Sequence, residues 1–243
     1  MAHFIGTSGW AYPEWKPGFY PEGLPQTKFL EHYASRLGAC EVNATFYRLQ
    51  SASTFEKWAA AVPEDFRFAI KMHRRLTHSA TFMETEEDTE FLIRFLESVE
   101  PLGSRLGPLL VQLPPSRRLA VDALARMLGA IGPNHSVACE FRHASWVDPT
   151  VDAVLAAHGA TRCFADTEGP APSALPAGKV AYVRLRAERY DDSRDDWMEL
   201  IRREAATREV VVFAKHKGVP AGDPFTGVGL ADWLASELSA PVD

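Results

Sequence analysis

Residues 136–142 read SVACEFR. Val137, Cys139 and Phe141 alternate with Ala138, Glu140 and Arg142. Side chains of a β-strand point alternately to its two faces. The stretch therefore predicts a strand with one wholly apolar face. Its other face runs from a small residue to a carboxylate and then a guanidinium. An amphipathic helix repeats every 3.6 residues and does not produce that order.

The same two-residue period recurs along the chain. In ACEVNAT (39–45), Cys40, Val42 and Ala44 are apolar, while Glu41, Asn43 and Thr45 are polar. RFAIKM (67–72) sets Phe68, Ile70 and Met72 against Ala69 and Lys71. PLLVQLP (108–114) sets Leu109, Val111 and Leu113 against Leu110 and Gln112. KVAYVRL (179–185) sets Ala181, Val183 and Leu185 against Tyr182 and Arg184, and continues to Arg186. EVVVFAKH (209–216) ends its second face on Lys215. In TRCFAD (161–166) the alternation groups Cys163 with Ala165, and Phe164 with Asp166. HFIGTSG (3–9) completes a set of eight strand candidates.

Helical periods fall between them, at 27–37, 53–61, 86–99, 119–130, 148–158, 194–206 and 225–238. The link after the sixth strand, TEGPAPSALPAG, is rich in Pro and Gly and reads as a loop. Alternating strands and helices imply parallel strands joined by crossovers. Eight strands in 243 residues predict an α/β fold, a single TIM-type (β/α)8 barrel domain over residues 1–243. An open doubly wound sheet is the alternative. On the barrel reading the apolar set meets the helices and the polar set points inward, with its charges toward the C-terminal ends of the strands.

The remaining composition narrows the function classes. The chain is 46% hydrophobic and 24% charged, with a net charge of −6. That charge supplies no general attraction to nucleic acid or to anionic membrane, so neither is expected as a partner. MAHFIGTSGW lacks a basic segment followed by an apolar run, so no signal peptide is expected. Cys40, Cys139 and Cys163 are widely spaced and form no CxxC pair, which suits reduced thiols in a cytoplasmic protein. All three fall on the face assigned to the helices, which argues against a thiolate nucleophile.

A structural barrel fills its interior with branched apolar residues. This one directs Lys71, Arg142, Arg184 and Lys215 inward, with Glu41, Glu140 and Asp166 among them. One reading is a satisfied salt-bridge network. The other is a ligand site at the C-terminal mouth, where such barrels carry their active sites. The surplus of cations favours a small anionic molecule, phosphorylated or carboxylated and polyhydroxylated. Lys71, Arg142 and Arg184 would bind the anion. Glu41, Glu140 and Asp166 would handle protons or orient the cations. Lys71 would serve as a Schiff-base lysine if its pKa were depressed, although its acidic neighbours oppose that.

Further ligand contacts are expected at the mouth. Ser8, Trp10, Tyr12 and Trp15 lie in or just after the first strand, and their rings would either wall a pocket or cap the core. Asn43, Tyr47, His73, Gln112 and His143 sit at or after strand ends. HKGVPAG (216–222) would offer backbone N–H groups to a phosphate. Glu41 and Glu140 as a glycosidase pair conflict with the cations beside them, which lower both pKa values. A metal site from Glu41, Glu140, Asp166 and a histidine, as in metal-dependent endonuclease or isomerase barrels, lacks any HExxH or HxH pattern, so no metal is expected. No P-loop, GxGxxG or GxSxG is present, so no nucleotide cofactor and no serine nucleophile is expected. A non-catalytic binding or sensor protein would use the same cleft.

Several stretches together resemble the domain-of-unknown-function 72 (YecE-like) family: GTSGWAYPEWKPGFYPEGLP, EVNATFYRL, FRFAIKMHRRLTH, LGPLLVQLPPS, EFRHASW and YVRLRAERY. The resemblance implies a TIM-type barrel and transfers no established activity. The chain departs from the family pattern at Gln50, where relatives usually carry proline. It also departs after the last strand, where AKHKGVPAGDPFTGVG replaces an Asn-rich segment.

Overall fold

In the computed structural model, which describes residues 3–166, 170–216 and 220–240, the sheet closes on itself at Cys163. The strands are β1 (His3–Thr7), β2 (Ala39–Val42), β3 (Arg67–Lys71), β4 (Leu106–Gln112) and β5 (Val137–Glu140). They continue with β6 (Thr161–Arg162), β7 (Phe164–Asp166), β8 (Val180–Leu185) and β9 (Glu209–Ala214). Their order around the sheet is β6-β5-β4-β3-β2-β1-β9-β8-β7, and every pair is parallel. The two ends, β6 and β7, are separated in the chain only by Cys163. β6 pairs with β5, and β7 pairs with β8. The sixth strand of a (β/α)8 barrel is thus present as two short pieces, each bonded to a different neighbour.

The helices are α1 (Phe29–Ala34), α2 (Ala44–Tyr47), α3 (Ala52–Ala60), α4 (Arg74–His78) and α5 (Glu86–Val99), then α6 (Val121–Ile131), α7 (Pro149–Ala157), α8 (Arg194–Ala205) and α9 (Gly227–Ser239). Seven of these match the helical periods of the sequence. The short α2 and α4 do not, because a single turn has no apolar periodicity to read. Local chemistry sets several starts. Thr85 and Asp88 form a reciprocal capping box at α5. Ser51 caps α3, and Asp148 caps α7 with Pro149 in its first turn. Residues 170–178 of the Pro/Gly-rich link contain no helix.

The interior has two layers. Ala39, Ala69, Leu110, Ala138, Cys163, Tyr182, Val211 and Phe213 form an apolar floor, with Phe4 and Val180 against it. Two residues further along their strands stand Glu41, Lys71, Gln112, Glu140 and Arg184. The opposite faces carry Cys40, Val42, Phe68, Ile70, Leu109, Val111, Val137, Cys139, Val183 and Val212, all within the core between sheet and helices. Parity read from the sequence therefore holds for β2–β5, β8 and β9.

It fails at the sixth strand. Cys163 belongs to the interior floor, whereas Phe164 packs outward against Trp197 of α8 with ring centroids 5.7 Å apart. Cys163 N–H donates to the Cys139 carbonyl at 2.8 Å, just where the strand changes partner. The sequence offered little polarity contrast here, since Cys163, Phe164 and Ala165 are all apolar. Cys163 thus faces inward, contrary to the assignment of all three cysteines to the helix side. Burial pushes its thiol well above the usual range, so it remains unsuited to thiolate chemistry.

β1 and β2 meet with unusual closeness. Tyr33 of α1 inserts its hydroxyl there, accepting from Thr7 N–H and donating to the Ala39 carbonyl, each at 2.8 Å. A Cβ on Gly6 would lie 1.8 Å from that carbonyl oxygen, so only glycine fits.

Candidate functional site

Glu41 is fully buried at the end of β2, and both its oxygens are saturated. Oε1 accepts from Ser8 Oγ at 2.8 Å, Arg184 NH2 at 2.9 Å and Asn43 Nδ2 at 3.2 Å. Oε2 accepts from Arg184 Nε at 2.8 Å and from the Tyr182 hydroxyl at 2.9 Å. Arg184 reaches the other way through NH1 to Glu140 Oε2 at 2.5 Å. Glu140 also accepts from Gln112 Nε2 at 2.8 Å and from Arg142 Nε at 2.7 Å. Gln112 Oε1 in turn accepts from Lys71 Nζ at 2.6 Å. One connected network thus spans β2, β3, β4, β5 and β8.

Burial alone would raise the pKa of Glu41, but Arg184 and Arg186 overcome it and hold the carboxyl far below its ordinary value. Glu140 behaves alike: Arg184, Arg142 and Gln112 outweigh its burial and keep it ionised. Neither carboxyl is a proton donor near neutral pH, which removes the support for a glycosidase pair.

Arg186 extends the site beyond the residues picked from sequence. It is two residues past Arg184, on the same face. Its NH2 donates to Ser8 Oγ at 2.8 Å and lies 3.7 Å from Glu41 Oε1. Its Nε is buried with no hydrogen-bond partner among the described residues. The period-two pattern of YVRLR carried this signal. The inner cluster thus sets Lys71, Arg142, Arg184 and Arg186 against Glu41 and Glu140, leaving positive charge in excess.

Lys71 has a distinctive setting. Its ammonium lies 4.2 Å from the centre of the Phe46 ring, and that ring meets His78 edge-on at 4.9 Å. Burial and then the field of Arg184 pull its pKa down to about 8, against the opposing pull of Glu41 and Glu140. The direction is opposite to that expected from its acidic neighbours alone. Burial, followed by the field of Lys71 and three arginines, also lowers His78. Phe46, not Tyr47, is the aromatic residue of EVNATFYRL whose ring meets the Lys71 ammonium. The chain turns into α2 directly after β2, which changes the period and leaves Tyr47 71% exposed.

Other expected contacts lie elsewhere. Asp166 stands apart from the inner charges and accepts from the Tyr190 hydroxyl at 2.7 Å; it shares the outward parity of Phe164. Burial raises its pKa. Lys215 leaves the end of β9 to pair with Glu188 on the surface. His73 and His143 serve as helix caps: the Nδ1 of each accepts a backbone N–H two residues on, from Arg75 and Ser145, at 3.1 Å. Of HKGVPAG, residues 217–219 lie outside the described residues, so that loop's expected phosphate contact does too.

The aromatic loop after β1 divides. Trp15 is 1% exposed among Tyr12, Phe19, Tyr20 and Tyr33, and its Nε1 donates to the His216 carbonyl at 3.1 Å. It seals the core. Trp10 meets Trp58 of α3 edge-on at 5.2 Å and leans on the helix layer. Tyr12 is different: it stacks on His216 at 4.9 Å and donates to the Ser8 carbonyl at 2.8 Å, beside the Ser8–Arg186 contact. Gly9 makes this possible. Its φ is +96°, and a Cβ there would lie 2.6 Å from the Tyr12 hydroxyl. Among the described residues, no three His, Cys, Asp or Glu side chains are grouped so as to hold a metal ion, and no helix is long and apolar enough to cross a membrane.

The chain is similar to several named proteins. It is 28% identical over 151 residues to the UPF0759 protein YunF of Bacillus subtilis (strain 168), covering 60% of this chain and 52% of YunF. It is 28% identical over 182 residues to the UPF0759 protein YecE of Escherichia coli (strain K12), covering 71% of this chain and 62% of YecE. The chain therefore matches between half and two thirds of these relatives' length. A crystal structure of a DUF72 family protein from Enterococcus faecalis V583 superposes with a TM-score of 0.75 at 18% identity, covering 100% of this chain and 97% of that one. Another, from Thermotoga maritima MSB8, gives 0.73 at 23% identity, covering 99% and 100%. These two likenesses are of fold. The model of the family described as "Protein of unknown function DUF72" matches residues 4–237, and the chain belongs to that family.

Proposed function

We propose that the C-terminal mouth of the barrel binds a small anionic molecule, a carboxylate or phosphate, and that the protein is an enzyme acting on it. The observation that carries this reading is Arg186, a cation turned into the mouth beside Ser8 and Tyr12, whose buried Nε has no hydrogen-bond partner among the described residues. Arg142 and Lys71 add positive charge from β5 and β3. Arg184, consumed by two carboxylates, anchors the arrangement and does not itself take ligand. Guanidinium groups suit carboxylate and phosphate through paired N–H donors.

Calorimetric titration with inorganic phosphate and with citrate tests it. Binding that weakens at least about tenfold in an Arg186→Met variant that still unfolds cooperatively supports the reading. Equal affinity in parent and variant refutes it.

A binding protein without turnover is the second reading. The ionised, fully engaged state of Glu41 and Glu140 favours it, because neither is available as an acid. A screen of anionic metabolites for turnover by purified protein separates the two.

A further inference from the structure

We propose that Lys71 is a nucleophile that forms a Schiff base with a small anionic carbonyl compound of the 2-oxo acid class. The inference rests on the anion-binding reading above and adds covalent chemistry to it.

Three features of the geometry converge on Nζ. Lys71 is the last residue of β3, so its side chain stands above the apolar floor at the mouth. Gln112 Oε1, the one acceptor of this nitrogen among the described residues, orients it at 2.6 Å, and Gln112 is itself fixed by donating to Glu140. The face of Phe46 at 4.2 Å shields one side from water. Among the described residues no carboxylate oxygen pairs with this nitrogen, although Glu41 and Glu140 are nearby in the network. Their oxygens are taken by Arg184, Arg142 and neutral donors. A lysine meant only for structure would be expected to claim one of them.

The consequence is a reactive amine. With its pKa drawn down to about 8, the amine at neutral pH carries on the order of a hundred times the free-base fraction of an ordinary lysine. Positive charge on Arg142, held on the far oxygen of Glu140, is available to a carboxylate adjoining the carbonyl.

The step balances as follows. The Nζ lone pair forms the C–N bond while the carbonyl π electrons move to oxygen, which takes the proton that nitrogen sheds. The carbinolamine oxygen then gains a proton from solvent and leaves as water. The nitrogen lone pair completes the C=N bond, giving a protonated iminium. The positive charge ends where the ammonium began. The Phe46 face stabilises both forms, and Gln112 Oε1 still accepts the remaining N–H.

Incubation with pyruvate and sodium cyanoborohydride, followed by peptide mapping, tests this. One reduced adduct on Lys71 is expected, formed on the order of tenfold faster than on any other lysine. Its rate should rise through an inflection near about 8. Inorganic phosphate should slow it, and uncharged acetone should label poorly. Lys71→Arg should abolish it while melting like the parent; mapping of the parent protein alone suffices if that variant fails to fold. Labelling spread evenly over surface lysines, with phosphate still binding, would overturn the covalent chemistry and leave anion binding standing. Rapid labelling of Lys71 by acetone, unaffected by phosphate, would overturn the anionic substrate class. Neither phosphate binding nor labelling would overturn both readings.

Discussion

Arg184 holds Glu41 through two nitrogens, Nε at 2.8 Å from Oε2 and NH2 at 2.9 Å from Oε1, and gives its third to Glu140 at 2.5 Å. Both ends of the contact are buried. Such a cluster is costly to break on one side and of small net worth as a whole. Arg184→Met is expected to destabilise the fold by about 3–5 kcal/mol in chemical denaturation, since it strands two buried carboxylates. The triple variant Glu41→Gln, Arg184→Met, Glu140→Gln should recover most of that loss. A triple variant as unstable as the single one would contradict this account.

The depressed Lys71 pKa has a signature in stability against pH. Between about 8 and the ordinary value of 10.5 the folded protein holds fewer protons at this site than the unfolded chain. Stability contributed by the site therefore rises with pH across that window. Lys71→Met, which cannot titrate, should flatten the rise. Urea denaturation of both proteins at pH values spanning the window measures it; parallel profiles would argue that Lys71 titrates normally.

Glu41 and Glu140 act in the opposite range. Their folded pKa values are depressed, so their contribution is complete above the usual carboxylate range and is lost as pH falls below it. Acid unfolding of Glu41→Gln should accordingly show a shallower dependence on pH than the parent.

Trp15 and Arg186 should separate core from site. Trp15→Ala removes a buried ring and is expected to cost about 3–5 kcal/mol of stability. Arg186→Met should cost less stability than this, because Arg184 still holds Glu41, and should lower phosphate affinity. The reversed pattern in paired melting and titration would assign the ligand wall to Trp15 instead.

Gly9→Ala is expected to cost about 1–3 kcal/mol, because alanine is disfavoured at φ +96°. Its Cβ would also displace the Tyr12 hydroxyl from Ser8. A weaker phosphate affinity in this variant would place Tyr12 at the ligand; unchanged affinity would confine its role to the loop.

Sequence alone determined the barrel, its eight strand positions and the inward line of Glu41, Lys71, Gln112, Glu140 and Arg184. That much is legible because the period of two is a property of the backbone, and each strand that carries one of those five residues sets it against apolar neighbours. Tertiary structure decided what the inward charges do. Which carboxylate meets which guanidinium depends on strands far apart in the chain, and only closure of the sheet brings Arg184 between Glu41 and Glu140. It also turned Cys163 inward and Asp166 away, since the change of pairing partner within the sixth strand lies in long-range hydrogen bonds that local alternation does not encode. It made caps of His73 and His143, and core of Trp15. A histidine or tryptophan reads alike in a chain whether it meets a ligand or a backbone amide. The depressed pKa of Lys71 belongs to the same class, because desolvation is a property of the assembled mouth and of no single residue in it.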